Sequence, residues 1–411
     1  MTGLFYIDNQ SNTRIRYSDL IADLNKTKSF NPVCHSGDYY TIFRVIIVSL
    51  LTDQPVCLLD DGLSEEEIKL QAGIENYKYD QNKDVSLDPI TSEDDLIARI
   101  KEAYNWRVIL FTSGTTGLPK KISHGLRSIT RMVKTSGKHA GDIWGFAYNP
   151  THIAGLQVFF QALLNKNTIV RLFGLPNELI TSSIISERVT HISATPTFYR
   201  LLLPVESKIS SVQRITAGGE KLDEITVKRL KAVFVNAQIL NVYASTEAGT
   251  VLASDDEIFS VPSGKDDLIK VVDQELYIHS KLLGESDTFK LEGDWYPTND
   301  IVEVVSEFPL RFRFLSRKNE MINTGGYKVN PHEVEDALLS IEKIKEAYVY
   351  PKKSSVLGNI VCADIVNPDR SLSVPGILKI LRSHLQEYKI PRIINLVDNI
   401  KYSRTGKKIR Q

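Results

Sequence analysis

The residues best suited to chemistry lie in one run, Phe111-Thr112-Ser113-Gly114-Thr115-Thr116-Gly117-Leu118-Pro119-Lys120-Lys121. Four hydroxyl side chains (Thr112, Ser113, Thr115, Thr116) and two glycines (Gly114, Gly117) precede Lys120. Glycines let backbone N–H groups come close to an anion, hydroxyls donate to its oxygens, and a lysine supplies charge. Such a loop can cradle a polyphosphate. It is not a Walker-type loop, G-x-x-x-x-G-K-[ST], because no glycine directly precedes Lys120. Taken alone, the run also reads as a polar surface turn, since six of the nine residues from Thr112 to Lys120 are Ser, Thr or Gly.

The elements that must hold this loop are mixed. The apolar run Val108-Ile109-Leu110-Phe111 reads as a buried strand leading into it. Short β-rich runs alternate with helical patterns along the chain, which favours α/β architecture with largely parallel sheets. Tyr17 to Leu24 reads as a helix start, and Ile143 to Ala147 and Thr168 to Leu172 as core strands. Thr41 to Leu51 is a buried helix or strand, and periodicity does not decide between them. Residues 75–95 read as polar connection, and 256–298 as short strands and turns forming a small barrel-like subdomain. The character changes near Arg317. Pro331 and the acidic Glu333 and Glu335 open a helix through Leu339. Strands follow at Ala347–Tyr350 and Ile360–Val366. Pro375 then opens a helix with Ile377, Ile380, Leu381, Leu385 and Tyr388 at helical spacing. Two domains are expected, 1–316 and a compact α/β module at 317–411.

Composition narrows the function. Fifty Lys and Arg balance fifty Asp and Glu over 411 residues, which argues against bulk electrostatic binding to nucleic acid or an anionic membrane. The N-terminus lacks the pattern of a signal peptide, and the apolar run Val45–Leu51 is far too short to span a bilayer. Cys34, Cys57 and Cys362 have no metal or redox spacing and are expected to be buried thiols in a reducing compartment. A cytoplasmic protein is expected.

Tyr243-Ala244-Ser245-Thr246-Glu247 adds an aromatic surface for stacking a base and a hard carboxylate ligand for Mg²⁺ bridging phosphates, although Thr-Glu alone also reads as a solvated pair. Thr112 to Lys120 closely resembles the phosphate-binding signature of the adenylate-forming superfamily, which includes acyl- and aryl-CoA synthetases, peptide-synthetase adenylation domains and luciferases. Tyr243 to Glu247 is similar to that family's Y-G-x-T-E segment, with Ala244 for glycine. His152-Ile153-Ala154-Gly155-Leu156 resembles the H-x-x-G-L segment lining the carboxylate pocket, and Gly218-Gly219-Glu220 the turn where backbone meets substrate and adenine. Tyr296 to Asp300 resembles Y-x-T-G-D, with Asn299 for glycine. Ser316-Arg317-Lys318-Asn319 resembles the segment joining the two domains, with Asn319 at the hinge position. Gly325 and Gly326 fit the loop that lets a pantetheine arm approach, and Thr405-Gly406-Lys407 resembles the C-terminal signature. These segments follow the family's order from about Ile15 to Gln411. The stretch before the phosphate loop is shorter than in typical members, which points to a trimmed N-terminal subdomain in a short-form member.

The resemblance implies an α/β fold: a large N-terminal adenylating domain of stacked α/β sheets with a small barrel-like subdomain, plus a small mobile α/β C-terminal lid. It implies an AMP-forming acid–thiol ligase using ATP, Mg²⁺ and CoA. Lys407, Thr246 and Glu247 would be catalytic, with Glu247 on the metal. The run Thr112 to Gly117 with Lys120, Gly219, Glu220, Tyr243, Asp300 and Arg317 would bind ATP. His152, Gly155 and Gly218 would bind the acid, and Asn319, Gly325 and Gly326 would form the hinge and thiol channel. The pocket segment carries no acidic residue to hold an α-amino group, which favours a plain small-molecule carboxylic acid over an amino acid. The acceptor is CoA or, alternatively, the phosphopantetheine of an acyl carrier protein. A non-thiol fate of the adenylate, as in luciferases, and a non-catalytic ligand-binding homologue remain open. No nucleic acid or membrane partner is expected.

Overall fold

The computed structural model describes residues 3–73, 82–112, 120–318, 320–324, 327–354, 358–368 and 372–402. By contacts the chain forms two compact units, one of residues 1–219, 230–255 and 281–290, the other of 220–229, 256–280 and 291–411.

The larger sheet of the first unit has the spatial order Gly249–Ser254, Gln238–Ser245, Arg214–Gly218, His191–Ala194, Ile143–Phe146, Thr168–Arg171, Leu4–Asp8 and Thr13–Arg16. The five inner pairings are parallel and the two outer ones antiparallel. Parallel strands are covered on both faces, so their residues run apolar without alternation, and Phe146, Ile169, Val170, Ile192 and Ala194 are buried accordingly. A second sheet joins Val33–His35, Val56–Leu59, Arg107–Thr112 and Lys120–Gly125, with only the last pair antiparallel.

The stretch that periodicity left open is a helix, Tyr39–Leu51. Its start is fixed by Asp38, whose carboxylate accepts the Thr41 N–H at 2.9 Å. Ile42, Phe43, Ile46, Ile47 and Leu50 are buried in the main core, and Phe43 stacks on Phe159 with ring centroids 4.7 Å apart. The polar connection expected to run to residue 95 stops earlier. Ser92 Oγ accepts the Asp95 N–H, and Glu93–Lys101 is a helix whose Leu96, Ile97 and Ile100 face the core. The acidic first turn behind a serine cap is itself a helix-start signal.

In the second unit, Ile258–Ser260, Leu310–Arg317, Trp295–Glu307, Glu275–His279 and Ile269–Val272 form a five-stranded antiparallel sheet in that order. The pairing among the described residues is that of an open sheet. The expected C-terminal elements appear as helices Pro331–Leu339 and Val374–Arg382 with strands Glu346–Ser354 and Gly358–Val366. Val334, Leu338, Val349, Val361, Ile377 and Leu381 form their core. Both helices carry proline in the first turn, where its missing N–H costs nothing. Among the described residues, no helix is long and apolar enough to cross a membrane.

Candidate functional site

The phosphate run is closed by a hairpin. Strands Arg107–Thr112 and Lys120–Gly125 pair antiparallel with Thr112 opposite Lys120, so the two ends of the run meet. Buried Val108, Leu110 and Ile122 hold this hairpin in the core. Ser113, Gly114, Thr115, Thr116 and Gly117 lie outside the described residues. The segment after Leu282 runs alongside: Ser123 N–H donates to the Glu285 carbonyl at 2.9 Å, Glu285 N–H to the Ser123 carbonyl at 2.8 Å, and Ser286 Oγ to the Lys121 carbonyl at 2.6 Å.

Tyr243 sits on strand Gln238–Ser245, and Thr246 and Glu247 form the turn into Gly249–Ser254. Three successive carbonyls of this turn each accept a hydrogen bond at 2.7 Å: Thr246 from His124 Nε2, Glu247 from the Gly284 N–H, and Ala248 from Arg131 Nη2. Sequence reasoning missed His124 and Arg131. The signal available for His124 was its place on the strand that Lys120 opens. Gly249 has φ +65°, a conformation glycine adopts without strain. The Glu247 carboxylate makes no hydrogen bond or ion pair among the described residues. Nor do they contain a group of three or more His, Cys, Asp or Glu side chains suited to a metal. Mg²⁺ is commonly held by one or two carboxylates with substrate phosphates supplying further ligands, so a single uncommitted carboxylate tied to the phosphate hairpin fits it.

The pocket segment caps a helix. His152 is the N-cap residue of Ile153–Leu164. Gly155, in its first turn, is buried against the preceding loop: a Cβ there would lie 2.4 Å from the Asn149 carbonyl oxygen and 3.3 Å from the Phe146 ring. Only glycine permits that approach, which gives Gly155 a packing role whatever it does for a substrate. Gly155→Ala is expected to lower the unfolding free energy by about 1–3 kcal/mol, the usual range for overpacking. An unchanged denaturant midpoint would contradict this.

The segment itself has no acidic residue, but the fold supplies one. Asp60, just after strand Val56–Leu59, lies with Oδ2 3.5 Å from His152 Nε2, accepts the Asn149 amide at 2.8 Å and accepts the Gly62 N–H at 2.9 Å. No local sequence signal could have brought residues 60 and 152 together. Gly218 ends strand Arg214–Gly218, where a Cβ would meet the Val242 carbonyl at 3.2 Å, and Gly219 follows at φ +85°. Between Gly219 and Glu220 the chain passes from the first unit to the second.

In the second unit, register brings two predicted residues together. Asp300 and Arg317 are cross-strand partners, and Arg317 Nε donates to Asp300 Oδ1 at 2.9 Å. Asp300 is buried while the Arg317 side chain is half exposed. Asn299 has φ +62°, which explains how asparagine stands where the related signature has glycine: Asn tolerates the left-handed region better than most residues. Glu275, also missed, is 5% exposed and accepts the Asn299 N–H at 3.0 Å and the Lys318 ammonium at 2.9 Å. Burying a carboxylate is tolerable when it is paired in this way. Asn319, Gly325, Gly326 and Lys407 lie outside the described residues; Thr324 and Tyr327, which flank the two glycines, are cross-strand partners.

Two histidines of the first unit carry a pH dependence. Burial pulls the His124 imidazole below its ordinary range, opposed by its bond to the Thr246 carbonyl. A carbonyl only accepts, so Nε2 carries the proton and Nδ1 accepts from Ser128 Oγ at 3.2 Å. Burial likewise lowers His191, opposed by Asp142. Both are neutral in the fold and regain an ordinary value near ~6.5 on unfolding. The unfolded chain therefore binds more protons below that pH, so this part of the stability is complete above about pH 6.5 and is lost as the pH falls through it. The double variant His124→Gln, His191→Gln is expected to lose less stability than the parent between pH 7.5 and 5.5. An equal loss in denaturant titrations would contradict the assignment.

A profile of the AMP-binding enzyme family matches residues 45–279, more than half the chain, and one of the AMP-binding enzyme C-terminal domain matches 333–407. The 2-succinylbenzoate–CoA ligase of Staphylococcus aureus (strain bovine RF122 / ET3-1) is 24% identical over 400 residues, covering 90% of this chain and 80% of its own length. The fold is similar to that of o-succinylbenzoate CoA synthetase (MenE) from Bacillus subtilis in complex with the acyl-adenylate intermediate OSB-AMP. Its TM-score is 0.74 at 17% identity, over 100% of this chain and 94% of that one. ATP-bound MatB from Rhodopseudomonas palustris is similar at a TM-score of 0.73 and 16% identity, over 99% and 94% of the two chains.

Proposed function

We infer the reaction from one premise: this chain belongs to the AMP-binding enzyme family. It is an ATP-dependent carboxylate ligase that forms an acyl-adenylate and then a thioester with CoA. The related CoA ligase and the acyl-adenylate complex of the similar synthetase support this reaction. The observation that carries it in the molecule is the wiring of the Thr246–Glu247 turn to the phosphate hairpin through His124 and Gly284.

In the first half-reaction a carboxylate oxygen attacks the α-phosphorus of ATP, the bond to the β-phosphate oxygen breaks, and pyrophosphate leaves. Lys120, the hydroxyls of Thr112, Ser113, Thr115 and Thr116, and the loop N–H groups at Gly114 and Gly117 hold the phosphates. Glu247, with Thr246 beside it, holds Mg²⁺, which neutralises phosphate charge when bound. Tyr243, Gly219 and Glu220 receive the adenine. Asp300 accepts from both ribose hydroxyls with Arg317 beside it. His152, Gly155 and Gly218 line the acid's pocket, and Lys407 donates to the carboxylate and α-phosphate. Catalysis here is positioning plus electrostatics, without a protein nucleophile.

In the second half-reaction the lid, 317–411, turns about Asn319. Lys407 leaves, and Gly325 and Gly326 line a path for the thiol. The thiol releases its proton to solvent, its sulfur attacks the acyl carbonyl, the bond to the phosphate oxygen breaks, and a thioester and AMP result. Asp60 already accepts from Asn149 and Gly62 and faces His152 at 3.5 Å, which supports a plain carboxylic acid rather than an amino acid as substrate. The cytoplasm supplies ATP and CoA and keeps the three buried thiols Cys34, Cys57 and Cys362 reduced.

Incubation with MgATP, CoA and a panel of aryl, aliphatic and amino acids tests this. One class of acid should yield AMP and CoA thioester in equal amounts. ADP and phosphate as products would overturn the reading. Preformed adenylate offered to CoA and to a phosphopantetheinylated carrier protein identifies the acceptor, and we expect CoA.

A further inference from the structure

We infer that His124 and Arg131 are positioning residues for the metal-binding turn, locking the Thr246–Ala248 backbone so that the Glu247 carboxylate is aimed before the nucleotide arrives. The inference rests on the proposed role of Glu247 and goes beyond it.

A turn between two strands needs some bonds to its carbonyls, but water normally supplies them at the surface. Here three consecutive carbonyls are taken by three different protein groups, each at 2.7 Å: His124, the Gly284 N–H and Arg131. Two peptide planes whose oxygens are held on either side of a residue cannot rotate freely, so the direction of that residue's Cα–Cβ bond is fixed and the range its side chain can sweep is narrowed. Glu247 sits between two such planes, and its own carboxylate is uncommitted among the described residues.

The donors are specialised for this task. His124 is 1% exposed, and both ring nitrogens are engaged, Nδ1 by Ser128 and Nε2 by the turn. Gly284 has no room for a side chain: a Cβ would lie 2.6 Å from His124 Cε1 and 2.7 Å from the Ser123 carbonyl. The glycine thus lets its N–H and the imidazole reach adjacent carbonyls. Arg131 directs its guanidinium to the carbonyls of Leu282 at 3.1 Å, Ala248 at 2.7 Å and Thr250 at 3.4 Å. It has no carboxylate partner among the described residues. Burial lowers its affinity for a proton, a cost that main-chain carbonyls only partly offset. A cation held this way defines the path of the main chain instead of neutralising an acid.

The arrangement also couples two parts of the nucleotide site. Lys120, Ile122 and His124 alternate with their neighbours along one strand, so Lys120 and His124 share a face. The strand that ends the phosphate run is therefore the strand that sets the metal-binding turn.

The test compares binding of MgATP and of ATP in EDTA by calorimetry, without carboxylate, so that no turnover occurs. His124→Phe and Arg131→Met are each expected to weaken MgATP binding about tenfold, the size of one lost buried hydrogen bond. Binding of metal-free ATP should stay within about twofold of the parent. His124→Gln, which keeps an N–H donor, should restore most of the loss. Amide exchange of the peptide covering 243–250 should speed up in both weakened variants while exchange in helix Tyr39–Leu51 stays unchanged, excluding general unfolding. Equal loss for MgATP and free ATP, or parent-like affinity in both variants, would overturn the inference. Glu247→Gln separates the two levels. If it removes the preference for MgATP while the His124 and Arg131 variants keep it, the positioning role fails and the metal role stands. If Glu247→Gln keeps that preference, both fail.

Discussion

Lys407→Ala is expected to slow adenylate formation by ~10²-fold or more, the scale for removing a charge partner of the transition state, while thiolysis of supplied acyl-adenylate continues near the parent rate. The asymmetry follows from when charge develops. During adenylation, negative charge builds around the α-phosphorus, and a lysine there stabilises the transition state more than the ground state. In the proposed second half-reaction the lysine has left before thiolysis. Its tail is anchored just upstream. The Tyr402 hydroxyl bonds the Glu346 carboxylate, and Tyr402 packs with Tyr348, Val366 and Ile400. The five residues from Tyr402 to Lys407 reach at most about 17 Å when extended, so the lysine acts within a short radius of this anchor. Equal losses in both half-reactions would mean that Lys407 has a different task.

Asp300→Ala should cost at least roughly 10²-fold in kcat/KM for ATP, since charge-assisted hydrogen bonds are worth about 1.5–3 kcal/mol each and two would be lost. The residue is already held: the Asp300 backbone N–H donates to Thr298 Oγ1 at 3.1 Å, and Arg317 Nε donates to the carboxylate Oδ1 at 2.9 Å. The substrate supplies the decisive control. Replacing ATP by 2′-deoxy-ATP should penalise the parent strongly and the variant little, because the acceptor of that hydroxyl has gone. If the variant discriminates as sharply as the parent, Asp300 does not bind the ribose.

Much of the site was legible because its chemistry is local. A hydroxyl- and glycine-rich run behind Val108 to Phe111 needs no distant residue to be noticed, whereas the antiparallel pairing of Thr112 with Lys120 that closes it came only with the fold. Asn299 was readable as a departure from a glycine, and its φ of +62° gives the physical reason that the exchange is tolerated. Helix Tyr39–Leu51 was ambiguous because it is apolar on nearly every face, leaving no period to read. Ser92 was overlooked in a polar stretch, although its cap and acidic turn announce a helix.

What remained hidden depends on contacts across the chain. Asp60 meets His152 across 92 positions, the difference between their residue numbers. His124 meets Thr246 across 122 positions, and Glu275 meets Lys318 across 43. A histidine, an arginine or a buried glutamate has no local signature that separates support of a site from ordinary packing. Only the fold, by setting which carbonyl or amide lies opposite, gives each its task.

The most direct measurement is carboxylate-dependent exchange of labelled pyrophosphate into ATP, with Mg²⁺, across aryl, aliphatic and amino acids. Exchange that requires one class of acid and falls ~10²-fold or more in Lys407→Ala is the expected result. Clear ATP binding with no exchange for any acid would contradict adenylation and leave a fold that holds the nucleotide without turning it over.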